Sequence, residues 1–63
     1  PPVTGSEQLI GSRGEVVEWL GSSGQVRVLG EIWAARGTQS LKPKDPVRVT
    51  GREGLILVVE PKL

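Results

Sequence analysis

Nine glycines punctuate a chain of 63 residues, and short runs rich in valine, isoleucine and leucine lie between them. Glycine tolerates positive φ and so permits tight reversals, while β-branched residues suit a pleated, half-buried surface. The pattern is that of several short strands joined by tight turns. No window of about 11 residues carries apolar side chains at a helical period. Pro43 and Pro46 also make the stretch between them a poor helix.

Five strands follow from this reading. The first runs from Ser12 to Leu20 and ends at a four-residue turn, Gly21-Ser22-Ser23-Gly24. The second is Gln25 to Leu29, where Val26 and Val28 alternate with Gln25 and Arg27 and mark one buried face. Gly30 reverses the chain into a third strand, Glu31 to Arg36. The longest connection, Gly37 to Asp45, is polar and basic. The fourth strand, Pro46 to Arg52, again alternates, with Val47 and Val49 against Arg48 and Thr50. Proline fits its first position, where no ladder N–H is required. Glu53-Gly54 reads as a hairpin turn, Leu55 to Glu60 as the fifth strand, and Pro61 as its stop. Residues 1–8, with Pro1, Pro2, Thr4, Gly5 and Ser6, read as a linker or N-terminal arm, which leaves 9–63 for the barrel.

Five short strands in so short a chain imply an all-β fold, a small barrel or sandwich. A five-stranded OB-type Greek-key barrel is the natural candidate, with its usual helix between strands three and four absent or very short. An SH3-like barrel fits the strand count almost as well, and the strand pattern alone does not choose between them.

A domain of this size is marginal and ordinarily depends on disulfides, a metal or very regular packing. With no cysteine there is no disulfide, and with neither cysteine nor histidine a zinc site is nearly excluded. The core must come from valine, leucine and isoleucine plus Trp19 and Trp33, since phenylalanine, tyrosine and methionine are absent. Eight basic residues against seven acidic give a net charge of +1, which argues against a strongly electrostatic nucleic-acid binder. No apolar run approaches the length of about 20 residues that spans a bilayer.

Three stretches, taken in order, resemble the soluble C-terminal domain of the NfeD family. They are Thr4-Gly5-Ser6-Glu7-Gln8-Leu9-Ile10-Gly11, then Gly24 to Ala35 with its Gly-x-Val-x-x-x-Gly-Glu-x-Trp-x-Ala spacing, and last Val47-Arg48-Val49 with Gly54 to Pro61. The resemblance implies an OB-type barrel that follows transmembrane helices in an integral membrane protein, on the cytoplasmic side of a prokaryotic inner membrane. It further implies association with stomatin-like (SPFH-type) proteins, or with a neighbouring protomer, and, in long members, a serine protease domain of the Clp-protease class upstream. Ala34 departs from the pattern, since an acidic residue or arginine is common there.

Candidate contact residues are Trp19, Leu20, Trp33, Ile56 and Val58. Trp33 shares a strand face with Glu31 and Ala35 and is read first as a core filler, second as a recognition residue. Val17 and Trp19 point one way and Val16, Glu18 and Leu20 the other, so at least one of Trp19 and Leu20 is partly exposed. If Leu55, Leu57 and Val59 face the core, Ile56 and Val58 face outward, either as an interface or beneath the N-terminal segment through Leu9 and Ile10. The second of these is favoured.

Arg27, Arg48, Arg52, Lys42 and Lys44 could line a groove for single-stranded nucleic acid, the alternative function. However, the chain lacks phenylalanine and tyrosine platforms, and acidic residues interleave with the basic ones. For catalysis, Ser12, Ser22, Ser23 and Ser40 have no histidine base, and Ser40 with Lys42 lies in a polar loop. Glu15, Glu18, Glu31, Asp45 and Glu60 are scattered. No catalytic, cofactor or metal residue is assigned, and no cofactor is expected.

Overall fold

The computed structural model describes residues 9–62, and the arm expected over residues 1–8 lies outside the described residues, as does Leu63. Five strands form: β1 (Arg13–Leu20), β2 (Ser23–Val28), β3 (Glu31–Arg36), β4 (Pro46–Glu53) and β5 (Ile56–Pro61). They close into a barrel in the order β1-β2-β3-β5-β4, with β4 returning to β1 through Arg13 opposite Arg48 and Glu15 opposite Pro46. Every pairing is antiparallel except β3 with β5, which run parallel from Ala34 beside Ile56 to Arg36 beside Val58. This is the five-stranded Greek-key barrel of the OB type, and it decides between the two barrels that the strand pattern left open. No helix interrupts the Gly37 to Asp45 connection.

Three hairpins turn on two residues each, and their geometry shifts several expected boundaries. Leu20 pairs with Ser23, so the first turn is Gly21-Ser22 and not the four-residue turn expected. The last turn is Gly54-Leu55, because Glu53 remains in β4 and pairs with Ile56. In both, glycine takes positive φ at the first central position (Gly21 at 67°, Gly54 at 62°), the pattern of a type II′ turn, whose twist matches that of the flanking strands. Between Val28 and Glu31 both central residues have positive φ, Leu29 at 53° and Gly30 at 83°, the pattern of a type I′ turn. Leu29 therefore belongs to the turn and not to the second strand.

The interior is filled by Leu9, Val16, Val26, Val28, Ala35, Val47, Val49, Leu57 and Val59. Val26 and Val28, Val47 and Val49, and Leu57 and Val59 are spaced two apart on β2, β4 and β5, the period that puts alternate side chains on one face. In β1 a register shift between Val16 and Glu18 breaks the alternation. Val16 is buried, yet Val17 and Trp19 beyond the bulge are also partly buried, so the expected grouping of Val16 with Glu18 and Leu20 does not hold. The extra residue of the bulge exchanges the two faces. A second shift lies in β4 between Val49 and Gly51.

Ala35 of β3 and Leu9, which precedes β1, complete the core. Leu9 is 3% exposed, and the chain beside it is held by the Gly11 N–H donating to Val49 O at 2.7 Å. The expectation that Leu9 and Ile10 cover Ile56 and Val58 is not met: Leu9 joins the interior, Ile10 is half exposed, and Ile56 stays exposed. A barrel lined mainly by valine has room for one longer side chain, and burying leucine inside removes more apolar surface from water than laying it across the outer face.

Leu57 is the largest fully buried side chain. Truncating it to alanine should cost about 2–5 kcal/mol, comparable to the whole stability of a domain this small, roughly 3–5 kcal/mol. Thermal or urea unfolding is expected to show L57A largely unfolded at room temperature, whereas L20A, at an exposed position, should unfold with the parent midpoint.

Candidate partner-contact surface

The barrel has two unlike ends. Because β1, β3 and β5 run in the same direction, the segments that precede them lie at one end: Leu9–Ser12, Leu29–Gly30 and Gly54–Leu55. The Gly21–Ser22 turn and the Gly37–Asp45 connection lie at the other.

That second end is latched. The Trp19 indole N–H donates to Gly21 O at 2.9 Å and to Gln39 O at 3.1 Å, so one side chain holds the β1–β2 turn and the long connection together. The Gly37 N–H donates to Ser22 O at 2.8 Å, the Lys44 N–H to Val16 O at 2.7 Å, and the Val16 N–H to Asp45 O at 2.9 Å. Asp45 adds a carboxylate acceptor for the Lys42 N–H at 2.9 Å. Gly24 makes room for the ring, since a Cβ there would stand 2.8 Å from Trp19 Cε3. Ser40 lies in this latch, its hydroxyl 3.5 Å from Gly21 O, and Lys42 is exposed.

The opposite end is apolar. Of six large hydrophobic residues exposed among the described residues, five belong to it: Ile10, Leu29 (68% exposed), Ile32, Leu55 (79%) and Ile56. The sixth, Leu20, is 86% exposed at the latched end. Ile32, Ala34 and Ile56 form a stripe on the outer face, because Ile32 and Ala34 alternate outward on β3 and Ala34 pairs with Ile56. Ion pairs border the stripe. Arg27 lies beside Ile32 and reaches Glu15 at 3.7 Å. Arg36 meets Glu53 at 2.6 Å, a contact that crosses β5 between the register partners of Val58 and Ile56.

Set against this geometry, the candidate residues do not form one cluster. Trp19 and Leu20 sit at the latched end, with the Trp19 N–H engaged internally. Trp33 lies on the inward face with Ala35 and packs against the core, while its indole Nε1 is buried without a hydrogen-bond partner among the described residues. Val58 faces outward but is half-buried beside Arg36 and Gly51. Only Ile56 lies in the apolar stripe. Ile10, Leu29, Ile32 and Leu55 were not singled out from sequence as contact residues. Leu55, expected to face the core, is instead the second residue of a turn, and the one-residue shift of the hairpin is what turns it out. A signal existed for Leu29, since a large apolar residue immediately before Gly30 stands where a two-residue turn normally carries Asn or Asp.

A sequence profile of the NfeD-like C-terminal, partner-binding domain matches residues 6–61. The chain belongs to the NfeD family. It is 41% identical over 58 residues to the membrane-bound protease PH1510 of Pyrococcus horikoshii, a match covering 89% of this chain and 13% of that protein. This NfeD-like chain thus spans only a small part of its curated relative. The fold is similar to that of the C-terminal domain of stomatin operon partner protein 1510-C from Pyrococcus horikoshii, with a TM-score of 0.87 and 38% identity over 97% of this chain and 98% of that one. It is also similar to the soluble domain of a membrane protein implicated in regulation of membrane protease activity from Corynebacterium glutamicum, with a TM-score of 0.82 and 34% identity, covering 92% of this chain and 98% of that one.

The two indoles provide a matched test. Trp19→Phe removes two hydrogen bonds and leaves their carbonyl acceptors to find new donors, and should cost about 1–2 kcal/mol while loosening residues 37–45. Trp33→Phe removes an N–H without a protein acceptor among the described residues, together with part of a ring packed against the core, so its cost should come from lost packing, stay below that of Trp19→Phe and leave residues 37–45 unaffected. Urea midpoints of the two variants check both, and equal destabilisation would contradict the difference in their environments.

Proposed function

We propose that this partner-binding domain is non-catalytic and docks a stomatin-type membrane protein, acting as the accessory barrel of a membrane-bound parent. The observation that carries this reading is the outer stripe Ile32–Ala34–Ile56 on β3 and β5, left uncovered although the same sheet has a full apolar interior. An apolar patch rimmed by charged pairs is the usual composition of a protein contact. Support for the partner comes from the relative with the 1510-C fold, which is named a stomatin operon partner, and support for the membrane-bound parent from the relative named a membrane-bound protease. The proposal places the domain on the cytoplasmic side; a neighbouring protomer is the alternative occupant of the stripe, and an upstream protease domain belongs to it only where the parent is of the long form. Among the described residues no helix is long and apolar enough to cross a membrane.

The non-catalytic reading draws on the placement of the serines. Ser22 lies in the β1–β2 turn, Ser23 opens β2, and Ser40 is engaged in the latch. Among the described residues no group of three or more acidic side chains is placed to hold a metal ion.

Titrating the isotope-labelled domain with the soluble part of a stomatin-type protein should shift amide signals of Ile32, Ala34 and Ile56, with little change at Trp19 and Gly37. Ile32→Asp should weaken binding at least tenfold without unfolding the barrel. No shift at high micromolar partner would count against direct docking. Tryptophan quenching by short oligonucleotides at low salt would favour the nucleic-acid alternative instead.

A further inference from the structure

The stripe on β3 and β5 does not account for the tips of the apolar end. Leu29 and Leu55 project from two-residue turns, and Ile10 precedes β1 at the same end. Both turn leucines are unfavourable as they stand. Each exposes a full aliphatic side chain to water, and Leu29 does so at φ 53°, in a backbone region that branched, bulky residues seldom adopt. The chain also enters the barrel at this end, where Leu9 passes into the core.

Charges of both signs lie nearby, and the basic ones outnumber the acidic among those without an ion-pair partner. Arg13 opens β1, Arg52 is the penultimate residue of β4, and among the described residues no carboxylate lies within ion-pair distance of either. The acidic residues Glu15 and Glu53 are already paired with Arg27 and Arg36. What remains uncompensated is two guanidinium groups around protruding aliphatic tips, with Glu31 the acidic exception on the first residue of β3.

The geometry points to a bilayer-docking end: Leu29, Leu55 and Ile10 enter the boundary between headgroups and acyl chains of an anionic membrane, and Arg13 and Arg52 contact its phosphates. Convex tips suit a deformable surface that closes around them, where a rigid protein partner would need a matching pocket for each. Aliphatic insertion combined with basic contacts is the usual chemistry of interfacial binding. The inference rests on the reading that the domain works beside a membrane, but it does not need the stomatin-type partner, whose proposed stripe lies on the side of the barrel. A domain resting on this end would hold β3 and β5 upright and leave that stripe accessible from the side.

The chain has no cysteine, so single cysteines at Leu55 (L55C) and at Leu20 (L20C) can carry an environment-sensitive nitrobenzoxadiazole probe at the two ends. The labelled domain is tethered to vesicles through a C-terminal histidine tag on a long glycine-serine linker and a nickel-chelating lipid. β5 leads the C-terminus to the latched end, so the tether itself does not favour contact at Leu55. On vesicles containing phosphatidylglycerol, the probe at position 55 is expected to brighten severalfold and shift to the blue, while the probe at position 20 stays as in solution. Leu29→Asn, which suits the turn better and so keeps the fold, should abolish most of that response. Arg13→Gln with Arg52→Gln should make phosphatidylglycerol vesicles behave like pure phosphatidylcholine.

An unchanged probe at position 55, or equal changes at both positions, overturns the proposal. So does a response at position 55 that needs no vesicles and grows with protein concentration, which marks an interface between copies, or one that needs added stomatin-type protein, which marks a protein site. Failure of the vesicle assay leaves the partner titration unaffected, so the two readings fail separately.

Discussion

The parallel pairing of β3 with β5 is the contact on which the rest of this molecule depends. Ala34 beside Ile56, Ala35 beside Leu57 and Arg36 beside Val58 join strands that are far apart in sequence and turn a sheet with two open edges into a closed barrel. Closure removes exposed edges, which would otherwise invite pairing with other chains. It also creates an enclosed interior, so that a chain without cysteine and with only two aromatic residues can still hide a continuous apolar cluster. With few large side chains available, small ones are packed at alternate positions around a narrow ring, and Leu9 fills the space left at one end.

Closure also makes the ends different. Strand order places the long β3–β4 connection at one end, where it must be tied down, and Trp19 does this by sharing its N–H between Gly21 O and Gln39 O. The other end carries, among the described residues, two-residue turns and the entry of the chain. Among the described residues, these short turns leave no polar loop to cover the hydrophobic residues at the strand starts. Ile32, Ile56, Leu29 and Leu55 are therefore exposed because of topology as much as composition, and the surface proposed for docking follows from how the barrel is wired.

Much of the fold was legible in the sequence. Val26 and Val28, and Val47 and Val49, alternate strictly with polar residues, and each of these pairs is buried where the period of two placed it. Glu31–Arg36 was bounded correctly by Gly30 and Gly37. The NfeD signature supplied the OB topology, which the strand pattern did not. What escaped was whatever hangs on a single residue of register. The bulge after Val16 exchanged the faces of β1, and the shift of the last hairpin from Glu53-Gly54 to Gly54-Leu55 turned Leu55 outward. A bulge has no strong sequence mark, and one residue decides which face a side chain occupies. The candidate site was read less well for the same reason, since Trp19 and Trp33 drew attention by size while both serve the interior or the latch.

Residue-resolved amide hydrogen exchange on the free domain tests the two-ended barrel most directly. The latched end should be protected with the core: the amides of Gly37, Lys44 and Val16 are expected to exchange only through global unfolding, at the same free energy as those of Val26 and Leu57. The turn amides of Gly30 and Leu55 should exchange freely. Rapid exchange at Gly37 and Lys44 together with strong protection at Gly30 and Leu55 would contradict the assignment of a fixed end and an open one.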